Sequence, residues 1–440
     1  MWSLVCSREM LVNVIQHFYL EGIFFGGIVT FLLLKKLSPR VVLVTGAILQ
    51  IAAGLGLAFA PYYEIHMALK MLTGLGACVM FSAGFQICWD ITNGWQRIVI
   101  CVCYEHFWSI GVISLGWLSD IADSWVNLQV IISVPTVLIL LLIQFVPDSP
   151  RWFIAAGKLE QAEKILRRGA SFNNRDLALE FEIKPTSGAT TSSPKLHMAR
   201  VVALGVIWII TVVHYYGGLL NMRSNGGPRL PARTSLAGLA EVIGAMIGMI
   251  LLFRCRPMLK FAFLSSLLAI GGTACVSSWA LNPTRGGGRS GWPMLWMALA
   301  GRISIACSLA VMSCGGCAEL IPLPRRPLTM LTLVSLARMV LTSAPFINSL
   351  AQYGESVTLS IYGVMCLSGA AAACYLAVDL LLEQKKQRAS EKQQNLLATR
   401  PSIFYTKQIQ RNSIFQEHNI LGVYFSNPCF INDDNDYRLN

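Results

Sequence analysis

An arginine, Arg338, interrupts the apolar stretch VSLARMVLTSAPF at residues 334–346. Near the centre of a membrane span, a guanidinium costs about 2.5–3.5 kcal/mol on insertion scales, and it does not shed its charge by deprotonation. Such a group faces a partner or a cavity. One reading pairs it with a buried acid, Glu241 or Glu105, or lets it snorkel to an interface. The other offers its planar fork to a substrate carboxylate. Tyr215, Tyr216 and Trp208 lie in another apolar run. Their rings either pack or line a cavity, where they stack on an organic body or hold an ammonium by cation–π contact. In YEHFW (104–108), adjacent Glu105 and His106 point about 100° apart on a helix, and neither faces lipid cheaply. Glu105 then binds an amine, carries a proton, pairs with Arg338 or lies close to an interface. His214 is open to the same alternatives.

The elements that must position these groups are long apolar runs. The chain is 54% hydrophobic and 13% charged, whereas soluble domains average about 25% charged residues. A spanning helix needs roughly 20 apolar residues. Such runs occur near 11–34, 42–61, 66–88, 98–119, 126–146, 199–221, 234–253, 258–280, 291–314, 327–350 and 356–382. The expected fold is an all-α polytopic membrane protein with about eleven spans.

Net charge is +12. In a membrane protein, Lys and Arg mark cytoplasmic loops rather than a nucleic-acid surface. Basic residues gather after the first span (Lys35, Lys36, Arg40), in 147–198, after the seventh span (Arg254, Arg256, Lys260) and after the last (Lys385, Lys386, Arg388). They predict a cytoplasmic loop at 147–198 and a cytoplasmic C-terminus. Arg223, Arg229, Arg233, Arg285 and Arg289 fall on the other side and weaken the rule without reversing it.

Four regions are expected: 1–146 as an N-terminal transmembrane half, 147–198 as a loop, 199–382 as a C-terminal half, and 383–440 as a disordered tail. Within the loop, FIAAGKLEQAEKILRR reads as an amphipathic helix, with Leu159, Ala162, Ile165 and Leu166 on one face. Most of the 13 cysteines lie in apolar runs, where a thiol behaves as a small hydrophobe. Cys314 and Cys317 have C-x-x-C spacing but no partner pair. TRGGGRSG (284–291) lacks the Lys-Ser/Thr ending of a phosphate loop. No nucleophile constellation, metal set or cofactor motif stands out, so an enzyme is not expected.

Several motifs resemble the organic cation, anion and carnitine transporters of solute carrier family 22, within the major facilitator superfamily. CWDITNGWQR places Asp90 and Arg97 at that family's acid-to-arginine spacing. SWVNLQ is similar to its W-R-x-L-Q stretch, and PDSPRW (147–152) to its P-E-S-P-R-W signature. HYYGGLLN (214–221) resembles the start of its second half, and Gly301-Arg302 with CAELIPLPRR (317–326) resembles a later pair. WSLVC, from residue 2, looks like the end of the family's first external loop. The resemblance thus implies a five-plus-six arrangement of a twelve-helix plan whose first helix would precede residue 1.

It implies substrate binding between two halves by alternating access. Asp90, Arg97, Asp148, Arg151, Glu319 and Arg326 would then form an acid–base network at cytoplasmic helix ends, with Arg302 and Lys70 as structural or coupling charges. Anion and carnitine transporters of the family carry arginine at the position matched by Arg338, where cation transporters carry aspartate. The implied cargo is a small organic ion bearing a carboxylate, an anion or a zwitterion. Arg338, Tyr215, Tyr216, Trp208 and Glu105 would form its site, in a plasma-membrane protein. The implied partners are that cargo, the lipid bilayer and an unspecified coupling ion, with no nucleic acid.

The sequence departs from the family at two turns. At 31–40, Lys35 and Ser38 replace an aspartate and a glycine, and 251–257 lacks both residue types as well. A transport-inactive receptor or scaffold, or a truncated isoform, is the alternative expectation.

Overall fold

In hydrocarbon, backbone N–H and C=O groups must bond within their own segment, so apolar runs of this length become helices. The computed structural model describes residues 10–174, 197–221, 229–281, 292–313, 320–321 and 326–398. The helices of the first half are α1 (Met10–Leu34), α2 (Pro39–Ala58), α3 (Tyr63–Ile91), α4 (Gly94–Ile121) and α5 (Trp125–Leu142). Two short helices follow, α6 (Pro150–Ala155) and α7 (Leu159–Phe172). Then come α8 (Met198–Val212), which runs through a π-turn at Val213–Gly217 into α9 (Gly218–Leu220), α10 (Leu230–Arg254), α11 (Pro257–Ser277) and α12 (Trp292–Val311). The series closes with α13 (Arg326–Leu341), α14 (Ala344–Ser349) and α15 (Glu355–Ala398). Among the described residues, eleven spans are long and apolar enough to cross a membrane, with α8–α9 and α13–α14 each forming one.

Helix α3 packs against α1 and α2, and α2 against α5. In the later part, α10 packs on α12, α11 on α12 and α15, and α8 on α13 and α15. The two groups meet where α4 runs along α10 and where α1 touches α13 and α14. Small residues permit the closest crossings. A side chain added at Gly22 of α1 would run into the Met71 carbonyl of α3, and one at Gly74 of α3 into the Tyr19 carbonyl of α1. Gly22 and Gly26 form the small-xxx-small spacing that lets helix backbones approach in lipid.

The PDSPRW motif works as a clamp at the ends of three helices. Ser149 caps α6 by accepting the Trp152 amide (3.0 Å), with Pro150 at the first helical position. Its hydroxyl donates to Asp90 at the end of α3 (2.6 Å). The Trp152 indole donates to the Leu34 carbonyl at the end of α1 (2.7 Å), and Asp148 accepts the Arg40 amide at the start of α2 (3.2 Å). The turn at 35–38 is built without glycine: the amides of Lys36 and Leu37 both donate to the Leu33 carbonyl, and Pro39 opens α2. No residue of that turn needs a positive φ.

Two expectations are corrected. The loop helix is split in two, because Gly157 adopts a left-handed φ of +72° between α6 and α7. The C-terminal segment does not lose structure at residue 383. Its first residues, EQKKQRAS and onward, are good helix formers and continue α15 to Ala398. Residues 399–440 lie outside the described residues.

The α1–α3 crossing makes a direct prediction. Gly22→Ala is expected to lower the thermal stability of the detergent-purified protein by about 1–3 kcal/mol, the usual cost of overpacking. Gly111→Ala, where an added methyl meets nothing within 4 Å, is expected to leave it unchanged. Unfolding midpoints of the two variants beside wild type check this.

Candidate functional site

A cavity of about 560 Å³ lies between the two groups of helices, lined from α1, α2, α3, α4, α8, α12 and α13. Arg338 enters it from the last turn of α13. The helix breaks immediately afterwards at Thr342 and Ser343, and Pro345 lies in the first turn of α14. The C-terminal end of α13 carries partial negative charge from the helix dipole, which favours a cation there. A discontinuous helix of this kind is a means of holding charge at membrane depth. Gly27 of α1 faces the guanidinium and leaves room for it, since a side chain there would collide with Nη1. Arg338 Nη1 donates to Cys78 Sγ (3.1 Å), its one protein hydrogen bond among the described residues. No described carboxylate is in ion-pair contact with it.

Glu105 of α4 lines the same cavity, as do Lys70 of α3, Trp208 of α8 and Tyr216 of the π-turn. Glu105 and Arg338 act on each other electrostatically without forming an ion pair. The structure thus gathers four of the five expected substrate residues, Arg338, Tyr216, Trp208 and Glu105. It also brings in Lys70, which the sequence assigned to the charge network. Trp108 was missed. It lies three residues after Glu105, on the same helical face, and its ring meets Tyr216 edge-on at 5.5 Å. That spacing was the available signal. Tyr19 on α1 and Phe81 on α3 are further cavity aromatics that the sequence did not single out.

Tyr215 is the exception. It is 1% exposed and lies off the cavity, because adjacent residues of a helix cannot share a face. Its hydroxyl is 3.0 Å from Ser109 Oγ, which donates to Glu241 Oε2 (2.8 Å). The single Ser109 proton being used, the tyrosine is the donor to Ser109. Glu241 of α10 also takes an ion pair from Arg302 of α12, whose Nη2 reaches the Tyr215 carbonyl (3.2 Å). Both charged side chains are at most 2% exposed. Arg302 is therefore a buried strut within the later helices. Glu241, offered in the sequence as a partner for Arg338, is already taken. His214 is buried beside the strut, stacked on Tyr362 with centroids 4.9 Å apart and 3.0 Å from Cys366 Sγ.

The helix-end network is wired differently from simple acid–base pairs. Asp90 receives Ser149 and Gln86 (2.9 Å), and the charges of Arg151 and Arg97 act on it. Arg97 is buried and donates twice to the Thr92 carbonyl, at 2.9 and 2.5 Å, beneath the Trp89 ring. Asp148 accepts backbone amides rather than an arginine. Glu319 and the side chain of Arg326 lie outside the described residues, as do Cys6, Cys314 and Cys317.

Comparison with known proteins agrees with this architecture. A model of the sugar (and other) transporter family matches residues 6–216. Solute carrier family 22 member 3 of Mus musculus is 26% identical over 283 residues, covering 62% of this chain and 51% of its own length. Human organic anion transporter 3 is 28% identical over 243 residues, covering 51% and 44%. Organic cation/carnitine transporter 4 of Arabidopsis thaliana is 27% identical over 240 residues, covering 50% and 45%. The chain spans about half the length of the curated relatives it matches. Among solved structures, the proton:xylose symporter XylE bound to 6-bromo-6-deoxy-D-glucose superposes with a TM-score of 0.62 at 18% identity, over 83% of this chain and 86% of that one. XylE of E. coli in an inward open conformation gives 0.59 at 16% identity, over 84% and 86%. The fold is that of the major facilitator superfamily. The curated proteins it matches include organic cation, organic anion and organic cation/carnitine transporters and a member of solute carrier family 22.

The buried strut gives a testable consequence. Glu241→Ala strands the Arg302 charge and is expected to cost about 3–5 kcal/mol of stability. A double variant, Glu241→Leu with Arg302→Leu, is expected to recover much of that loss, since it removes both charges. Thermal unfolding and monodispersity of the purified variants check the pair.

Proposed function

We propose that this chain carries small organic ions across the plasma membrane, with carboxylate-bearing anions or zwitterions as cargo. The observation that carries this reading is Arg338: a permanent charge presented to an interhelical cavity, with no acid among the described residues in ion-pair contact. Its planar fork holds the carboxylate, supported by Lys70. Tyr216, Trp208 and Trp108 hold the organic body by stacking and apolar contact. Glu105 receives an amine where the cargo is zwitterionic. The relatives' names, organic anion transporter and organic cation/carnitine transporter, support cargo of this class.

In this reading 1–146 and 199–382 are the two halves, and they rock about the cavity while the basic segment 147–198 and the C-terminal segment stay in the cytoplasm. Inward and outward states must lie close in free energy, because a bias of about 1.4 kcal/mol shifts them tenfold. The polar clamp of Asp90, Ser149 and Asp148 supplies contacts of that modest size.

Uptake of radiolabelled anion, zwitterion and cation panels into cells expressing the chain tests the proposal. Anions or zwitterions are expected to accumulate. Arg338→Ala is expected to raise the half-saturating concentration about 10–100-fold, the equivalent of losing about 1.5–3 kcal/mol of charged hydrogen bonding. Cation uptake indifferent to Arg338 would remove the carboxylate site. No uptake of any class would favour a receptor or scaffold role.

A further inference from the structure

One histidine of α1 bonds to the break in α13–α14. His17 Nδ1 is 2.7 Å from the Thr342 carbonyl oxygen, inside the break. On its other side, His17 Nε2 is 3.2 Å from Oε1 of Glu21, one turn along α1. The ring stands edge-on to Phe346 of α14, with centroids 5.1 Å apart.

The hydrogen-bond inventory fixes the proton count. A carbonyl oxygen only accepts, so Nδ1 bears a proton. A neutral imidazole has just one. Its Nε2 would then aim a lone pair at the Glu21 carboxylate, and two acceptors would repel. Two arrangements remove the conflict. Either the ring carries both protons and donates to Glu21, or Glu21 is protonated and donates to Nε2. Both contain one proton more than a neutral imidazole beside a carboxylate.

We propose that His17 and Glu21 form a proton-binding site that fastens α1 to the α13–α14 break, so that proton uptake closes this contact between the two groups of spans and proton loss releases it. Both side chains are partly exposed, 25% and 32%. Among the described residues, the neighbouring elements supply no competing acid. On α3, the Tyr63 hydroxyl donates to the Leu11 carbonyl (2.9 Å), Glu64 is exposed and His66 turns towards Trp125. Lys70 of α3 and Arg338 of α13 face the cavity. Their positive charge opposes a protonated ring, and Glu21 offsets it at contact distance. Helix α14 carries no ionisable side chain.

The sign of the pH dependence follows from linkage. The fastened state binds one more proton than the released state, so acid favours it and alkali favours release. One proton allows at most about a tenfold change in the ratio of the two states per pH unit. The proposal rests on the reading that the two groups of spans move relative to each other, but it can be scored without any cargo.

The test is hydrogen–deuterium exchange on the full chain in lipid nanodiscs, followed at peptides covering 10–22 and 339–350. Rates are compared at about pH 5.5 and about pH 8.5, on either side of the ordinary imidazole range, after correction for intrinsic amide chemistry. Wild type is expected to lose protection several-fold at the alkaline pH. His17→Gln is expected to show no such dependence. Glu21→Gln is the sharper variant. Its amide can donate to the Nε2 of a neutral ring, so strong protection is expected at both pH values. A purely structural role would instead weaken protection in both variants at both pH values. A wild-type profile flat in pH, or a Glu21→Gln profile that keeps the wild-type dependence, overturns the proposal. Failure of cargo uptake alongside an intact pH profile would count against the transport reading and leave the proton site standing.

Discussion

A guanidinium does not lose its charge inside a membrane, and most of the interior follows from accommodating two of them. Arg302 is accommodated by enclosure: Glu241 pairs with it, the Tyr215 carbonyl accepts from it, and water is excluded. Arg338 is accommodated by exposure to a cavity, by the carbonyl end of α13 and by the absence of a side chain at Gly27. The first arrangement neutralises the charge with a buried acid, although its Nε and Nη1 have no hydrogen-bond partner among the described residues, and it serves packing. The second opens onto a cavity with no described acid in ion-pair contact, and that difference separates a strut from a candidate binding site.

The same contrast runs through the polar residues of α4 and the π-turn. Glu105 and Tyr216 face the cavity, whereas His106 and Tyr215 face the strut. Ser109 and Tyr215 complete the shell around Glu241, so a substitution there acts on stability before it acts on cargo. The π-turn at Val213–Gly217 lies where these two environments meet. Local π-turns of this kind recur at functional sites.

Much of this was legible in the sequence. Ten of the eleven apolar runs match the spans to within a few residues, because hydrocarbon leaves the backbone one economical conformation. Arg338 and Glu105 stood out because charge is rare at that depth. What could not be read was pairing between distant helices. Glu241 suits either arginine until α10 and α12 are seen side by side. Tyr215 and Tyr216 look alike until the helix turns one inward and the other away. Asp148 and Arg151 suggested ion pairs, but the clamp uses Ser149 and backbone amides, which carry no charge signature. The polar composition after residue 382 suggests disorder, yet Gln, Glu, Lys, Arg and Ala are also the residues that sustain a helix in water, and α15 runs on to Ala398.

Cys78 offers the most direct measurement of whether the Arg338 charge is available to cargo, since its thiol touches the guanidinium and lines the cavity. Its rate of modification by an anionic and by a cationic methanethiosulfonate reagent can be read peptide by peptide with mass spectrometry. The account predicts faster reaction with the anionic reagent, and loss of that preference in Arg338→Ala. Equal rates in wild type, or a preference for the cationic reagent, would contradict it.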